Sequence, residues 1–265
     1  MISVILTTYN RRALLARALA SVFKQTVADR EVIVADDGST DGSDLVLHAQ
    51  PVVAIHLPHS GNPAIGRNAA LARAGGDQIA FLDSDDVLHP TALARLSTGL
   101  AEHPEAGFAF CDYEPAPSPP PPLPRAGDLF DPLLESDFIM MGGVLLRRSV
   151  VSAVGSFDPL CTPAEDWDYW LRAAARFPAV YVPHSLITIS SDPDSLSRRR
   201  GGAMQRANVR VTRKALDFCM TDRPQSLSLA RRAHRRSLVA AARDSWRQRA
   251  LGQTMGSLVR VVLAR

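Results

Sequence analysis

Short apolar runs alternate with helical periodicity through the first part of the chain. Ile2–Thr7 reads as a strand, Arg11–Gln25 as a helix, Glu31–Ala35 as a strand, the stretch near Asp41–Ala49 as a helix and Val52–Leu57 as a strand. In the first helix Leu14, Ala18 and Val22 form one ridge and Leu15, Leu19 and Phe23 the next, which is the spacing of an apolar helix face, with Asn10 as the expected N-cap. The alternation continues with a helix over 64–74, a strand Gln78–Leu82, a helix Pro90–Ala101 and a strand Gly107–Tyr113. Gly143–Val151 reads as a strand leading into a helix, Pro163–Arg176 as a helix, and Ala179–Val182 as a strand followed by a polar loop to Ser197. From Ala203 onward the pattern is wholly helical. Repetition of this kind predicts an α/β fold with a mostly parallel central sheet, helices on both faces and a C-terminal helical extension. Ligands of such sheets collect at the carboxyl ends of the strands.

With 265 residues, 46% hydrophobic and 22% charged, the chain has ample core, which excludes general disorder, collagen and a disulfide miniprotein. Cys111, Cys161 and Cys219 are scattered without CxxC spacing, so neither a disulfide framework nor a zinc knuckle is indicated and a reducing compartment fits. The opening MISVILTTYN enters a strand at once and does not resemble an export signal, and no stretch reaches the roughly 18 apolar residues of a spanning helix. A cytoplasmic location is the expectation, extending to the inner face of a membrane. The net charge of +3 conceals a split: residues 198–265 carry 17 basic and 3 acidic side chains, whereas residues 1–197 carry 13 and 24. A boundary is therefore expected at 198. Pro115–Pro124, with seven prolines in ten residues, reads as a polyproline loop or a ligand for a proline-binding domain.

Three acidic clusters fall just beyond predicted elements. Asp36-Asp37-Gly38-Ser39-Thr40-Asp41 follows a strand, where turn chemistry alone would select these residues and Thr40 or Asp41 could cap the next helix. Asp83-Ser84-Asp85-Asp86 also follows a strand. Three carboxylates in four residues repel one another, and a hard divalent cation, Mn²⁺ or Mg²⁺, shared with the phosphates of a nucleotide diphosphate would explain them, against the simpler reading of a helix start before Pro90. Glu165-Asp166-Trp167-Asp168 lies in a first helical turn that the helix dipole favours for acids. Its two tryptophans could line an apolar pocket or stack on a sugar, and a carboxylate beside them is desolvated enough to serve as a general base. No GxGxxG follows the first strand, and no P-loop is present.

Taken in order, SVILTTYNR (3–11), VIVADDGSTD (32–41), GRNAAL (66–71) with FLDSDD (81–86), and VGSFDP (154–159) with EDWDYWLR (165–172) resemble the family-2 glycosyltransferases of the GT-A fold. The resemblance covers roughly residues 1–195. It implies an inverting, metal-dependent enzyme of hexosyltransferase type that moves a sugar from a nucleotide-diphosphate-sugar to an acceptor hydroxyl, in polysaccharide, glycolipid or glycoconjugate biosynthesis. It divides 1–197 into a nucleotide-binding half, about 1–113, and an acceptor half, about 125–197. Thr7, Tyr9 and Asp37 match positions that contact the base, Arg67 one near the nucleotide, and Asp83 and Asp85 those facing the ribose and phosphates, with Gly66 standing where Ala is usual. Asp85 and Asp86 are the implied metal ligands and Asp166 the catalytic base. Gly142, Gly143, Glu165 and Trp167 fall on the acceptor side. The histidine that completes the metal site in many relatives is missing: Ile189, Ser190 and Asp192 occupy that region, so Asp192, His184 or water would replace it. A non-catalytic nucleotide-sugar-binding subunit is the alternative, disfavoured because binding alone needs no base.

Residues 224–265 interleave apolar positions with Arg pairs at 231/232 and 235/236 and end in a mostly apolar stretch, Met255–Leu263. Peripheral contact with an anionic membrane, suited to a lipid-linked acceptor, is one expectation. Packing on the catalytic part or in a homodimer explains the apolar residues equally well. A small-molecule or saccharide acceptor remains open. Nucleic acid is not expected, because only Phe218 and Trp246 follow residue 200 as stacking aromatics.

Overall fold

In the computed structural model, residues 1–115, 125–190 and 202–263 are described, the last of these with side chains through residue 247. Strands β1 (Ile2–Thr8), β2 (Arg30–Asp36), β3 (Val53–His56) and β4 (Gln78–Asp83) alternate with helices α1 (Arg12–Phe23), α2 (Ser43–His48) and α3 (Pro63–Leu71). They pair in parallel in the order β3-β2-β1-β4. The sheet continues through β8 (Val144–Arg147), β6 (Phe108–Glu114), β9 (Ala179–Thr188) and β5 (Val87–Leu88), with β7 (Ala126–Gly127) on β9. β8 runs antiparallel to β4 and β6, while β9 returns parallel to β6, so the main strands share one direction except β8. Helices α4 (Ala92–Glu102), α5 (Phe130–Glu135), α6 (Arg148–Val154), α7 (Glu165–Ala174), α8 (Gly202–Thr221) and α9 (Leu227–Leu263) complete the described chain.

The period of two along each strand sorts its side chains into two cores. Ile5, Ile33, Phe81 and Phe108 face one layer, with α3, α5, α7 and α8; Val4, Val34, Leu82 and Ala109 face the other, with α1 and α4. Buried Gln25 links α1 to α4, donating to the His89 carbonyl and accepting from the Leu93 amide.

One expectation needs correction. The last strand runs to Thr188 rather than stopping at Val182. Its partner register jumps from Cys111–Val182 to Asp112–Ser185, so a bulge absorbs Pro183 and His184 and the ladder resumes beyond them. Beyond the charge boundary at 198, Ala207, Val211, Ala215, Cys219 and Ala230 share a core with the sheet and α7, the packing that the sequence offered beside membrane contact. The polyproline segment 116–124 lies outside the described residues.

The turn from α3 into β4 leaves no room at Gly76: a Cβ there would stand 2.7 Å from the Ser3 amide nitrogen and 2.9 Å from the Met1 carbonyl oxygen. Backbone cannot step aside as a flexible side chain can. Gly76→Ala is expected to lose about 1–3 kcal/mol of stability, the usual scale of overpacking, measured by urea unfolding.

Candidate active site

The carboxyl ends of β1 and β2 lie side by side, with Thr8 paired to Asp36, so the loops that follow them meet. Asn10 does not cap α1. It adopts φ 49°, and its side-chain oxygen accepts the Thr40 amide at 2.8 Å while its own amide donates to Ser39 Oγ. The cap arrives from across the gap instead: Asp41 Oδ2 accepts the Arg12 amide at 2.8 Å, and Oδ1 accepts the amide and hydroxyl of Ser43. One carboxylate thus serves the starts of α1 and α2, where helix dipoles favour negative charge.

Asp37 and Tyr9 are drawn together by the loop 59–61. Asp37 Oδ1 accepts the Ser60 amide and hydroxyl, both at 2.8 Å, and Oδ2 accepts the Gly61 amide at 2.8 Å. The His59 ring lies 3.0 Å from Oδ2 and stacks on Tyr9 with centroids 3.8 Å apart. Tyr9 stays 40% exposed. Thr7 sits beneath α3, and a methyl at Gly66 would approach its Cγ2 to 3.0 Å, which accounts for glycine at that position.

Arg67, on the same helix and 6% exposed, joins the two sides of the cleft. Nη2 donates to Asp83 Oδ1 at 2.8 Å, at the end of β4, and Nη1 pairs with Glu165 Oε1 at the start of α7. The guanidinium also lies over the Phe157 ring. Burial alone would lower its basicity, yet the charges of Asp83, Glu165 and Asp166 raise it above the ordinary value, so the cation is held firmly.

The remaining acids of the Asp83–Asp86 turn point to different partners. Asp85 pairs through Oδ2 with Arg11, and its carbonyl accepts Arg17 Nη2 at 2.9 Å. Asp86 is 6% exposed and its Oδ1 accepts the Ser190 amide at 2.9 Å. Burial, followed by the neighbouring charges of Asp83 and Asp85, pushes its carboxyl up to about 8 against the pull of Ser190 and Arg11. Segment 189–190 therefore stands beside Asp86. Asp192 lies outside the described residues. His184 does not approach: it is on the α4 side of the sheet, lining a surface cleft with Arg95, Thr98 and His103. Arg11 is a site residue that the sequence reading passed over, although it closes the first motif.

On α7, Asp166 Oδ1 accepts the Trp167 amide at 2.8 Å. Burial and then the charge of Glu165 push its carboxyl up to about 7, although Arg67 and the Trp167 amide oppose this. The tryptophans depart from expectation. Trp167 is 7% exposed and Trp170 wholly buried, and each indole N–H donates to a backbone carbonyl, of Leu133 at 2.7 Å and of Ile139 at 3.1 Å. These rings brace α5 and the segment after it and leave almost no face for a sugar. Gly142 and Gly143 are likewise packing positions, since a Cβ on Gly142 would fall 2.1 Å from Ile187 Cδ1 and one on Gly143 3.3 Å from Cys111 Sγ.

Behind α7, Asp158, Cys161 and Asp168 bring potential metal ligands together. A cation from the chain already bridges them: Lys214 Nζ, on α8, stands 2.6 Å from Asp168 Oδ1 and 2.8 Å from Asp158 Oδ2, while Arg172 takes the other oxygen of Asp168.

A doubly covered α/β sheet with carboxylates at its strand ends, joined by one arginine to an acidic helix start, defines a protein of the GT-A class. The chain belongs to glycosyl transferase family 2, whose family model matches residues 3–151. An uncharacterized glycosyltransferase of Bacillus subtilis, YwdF, is 27% identical over 191 residues, covering 69% of this chain and 71% of that protein. Two further bacterial glycosyltransferases are matched over only 49% and 31% of their own lengths. Among solved structures, S. aureus TarS 1–349 aligns with TM-score 0.67 and 19% identity, covering 88% of this chain and 71% of that one. The mannosyltransferase PcManGT from Pyrobaculum calidifontis, in complex with GDP-Man and Mn²⁺, aligns with TM-score 0.65 and 20% identity over 95% of this chain and 80% of that one. At these identities the structural likenesses establish the fold.

The raised carboxyl of Asp166 has a thermodynamic signature. Between its ordinary value of 3.8 and about 7 the folded chain keeps a proton that the unfolded chain has released, so this group costs stability progressively as pH rises through that window. Asp166→Asn is therefore expected to gain stability relative to the parent as pH goes from about 4 to about 7, with the difference then levelling. Paired thermal unfolding curves across that range check the sign.

Proposed function

We propose that this chain is an inverting glycosyltransferase that moves a sugar from a nucleotide-diphosphate-sugar to an acceptor hydroxyl, with Asp166 as the general base. The observation that carries the reading is the Asp83–Arg67–Glu165 bridge, which fixes a carboxyl of near-neutral pKa on α7 opposite the acidic turn at the end of β4. In the reaction Asp166 takes the proton of the acceptor hydroxyl, the acceptor oxygen forms the new bond to the anomeric carbon, and the bond to the diphosphate breaks on the opposite face with its electron pair. A carboxyl near 7 is a stronger base than an ordinary one and is still substantially ionised at neutral pH. Tyr9 and Asp37 fit the base of the nucleotide once the 59–61 loop yields its contacts, and Arg11 fits the diphosphate as the cation nearest Asp85.

The acidic turn fits a hard divalent cation. Asp86 is buried among like charges that raise its pKa, and carboxylate oxygens are the donors Mn²⁺ and Mg²⁺ prefer. Asp86 and Asp85 would hold it, Asp85 after release from Arg11, and it would supply positive charge against the departing diphosphate. Asp83 remains with Arg67 and faces the donor. The complexes of PcManGT with GDP-Man and Mn²⁺ and of TarS with UDP-GlcNAc support this choice of ligands.

Thermal-shift screening of UDP- and GDP-sugars with Mn²⁺ identifies the donor. Asp166→Asn is expected to keep the shift given by that donor while transfer falls at least about 10²-fold, the low end of general-base contributions. Near-normal turnover in that variant would remove Asp166 from the base role. In Asp86→Ala the metal dependence of the shift is expected to disappear.

The location we propose is an anionic membrane surface, reached through α9. No helix among the described residues is long and apolar enough to cross a membrane. Trp246, 72% exposed, and Val239 share the outward face of α9 with Arg235 and Arg243, a basic face with an aromatic anchor. The chain is expected to float with phosphatidylglycerol vesicles and not with phosphatidylcholine vesicles, and Trp246→Ala to weaken flotation; equal behaviour on both lipids contradicts the proposal.

A further inference from the structure

Every acceptor site of Asp37 is engaged within the chain itself. An ionised carboxylate offers about four lone-pair sites. Asp37 Oδ1 accepts the Ser60 amide and hydroxyl, and Oδ2 accepts the Gly61 amide and faces His59 Nδ1 at 3.0 Å. The same Nδ1 lies 3.0 Å from the Asp37 carbonyl oxygen. A carbonyl oxygen cannot donate, so Nδ1 carries the hydrogen. The imidazole face lies on Tyr9, with ring centroids 3.8 Å and planes 18° apart. Gly38, at φ +78°, admits the loop, since a Cβ there would stand 2.9 Å from the His59 amide nitrogen. Both ends of the loop are anchored. The Leu57 amide donates to the Asp36 carbonyl at its start, and at its end Asn62 caps α3 while bonding the Pro159 carbonyl and the Thr162 hydroxyl.

We propose that His59 occupies the base subsite in place of a nucleobase, so that a nucleotide enters by turning the imidazole out. The inference rests on the assignment of Tyr9 and Asp37 to the base. His59 sets an aromatic face on the first of these residues and a ring N–H on the second. Uracil and guanine bring the same pair of features, so they and His59 exclude one another. Of the four donors on Asp37, the Ser60 and Gly61 amides belong to the anchored backbone, and rotation of the Ser60 hydroxyl leaves Tyr9 covered. Release of His59 frees an acceptor oxygen and the Tyr9 face together. Its side chain is 47% exposed, so rotation about χ1 and χ2 carries the ring into water without a backbone shift. A subsite closed in this way lowers the apparent affinity for a nucleotide in proportion to the fraction of molecules in which it stands open.

Calorimetric titration of the full chain with UDP and with GDP, each with Mn²⁺, tests the proposal. His59→Ala is expected to bind the recognised nucleotide about 3- to 10-fold more tightly than the parent, the scale of one displaced stacking ring. NMR reads the ring directly: cross-peaks between the His59 and Tyr9 ring protons are expected before nucleotide is added and are expected to vanish at saturation. An affinity unchanged or weakened in His59→Ala overturns the proposal, as does absence of the cross-peaks before nucleotide or their persistence at saturation. The base assignment fails in a different way. Tyr9→Ala placed in the His59→Ala background, where no competing ring remains, is expected to weaken nucleotide binding. Unchanged affinity there, or binding of neither nucleotide, removes the assignment and the inference with it. Weakening there combined with no gain in His59→Ala alone overturns the inference and leaves the assignment standing.

Discussion

One buried guanidinium organises this molecule. Arg67 reaches Asp83 at the end of a central strand and Glu165 at the start of α7, residues separated by more than eighty positions in the chain. Without it three carboxyl groups, those of residues 83, 165 and 166, would crowd together without the charge that Arg67 supplies. Removing one member of a buried ion pair costs several kcal/mol because the survivor is left desolvated and unpaired. The interaction therefore does two things at once. It makes the acid-rich site foldable, and it sets the separation between the strand-end turn and the helix that carries Asp166. Placement of that cation on α3 requires the close seat of α3 against β1, and Gly66 above Thr7 provides it.

The acids of the site are divided by their partners. Those of the turn after β4 are each tied to a different group, Arg67, Arg11 or the Ser190 amide, so none is free to neutralise another. Those of the α7 side are sheltered by burial, and burial displaces a carboxyl upward. The result is two acidic regions of different character, one tied to cationic and amide partners and one sheltered by burial. Trp167 and Trp170 serve the second region by holding the 133–139 segment against the helix.

Much of this was legible in the sequence where the signal is local. The parallel half of the sheet follows from alternating apolar runs, and the acid clusters fall at strand ends because the runs end there. What was missed is non-local or breaks a local rule. The strand reading stopped at Pro183 because proline cannot donate to a ladder, yet a bulge opposite Asp112 carries β9 past it. Helix α5 was overlooked because FDPLLE is short and contains Pro132. The tryptophans suggested a sugar platform by type, but only the neighbouring backbone reveals that their indole N–H groups are spoken for. Arg67 was found through resemblance, while its bridging role depends on a partner 98 residues away.

Lys214 gives the C-terminal helices a meaning that charge counting alone did not. It is one of two lysines in the chain, and it answers the acids packed behind α7 from a helix that follows the sheet and α7 in the chain. On the ribosome, the sheet and α7 emerge before α8, so Asp168 waits with Arg172 alone and the apolar groove that takes Val211 and Cys219 stays open. A chain that lacks α8 loses the counter-charge and the apolar cover that this helix brings to the helix bearing Asp166.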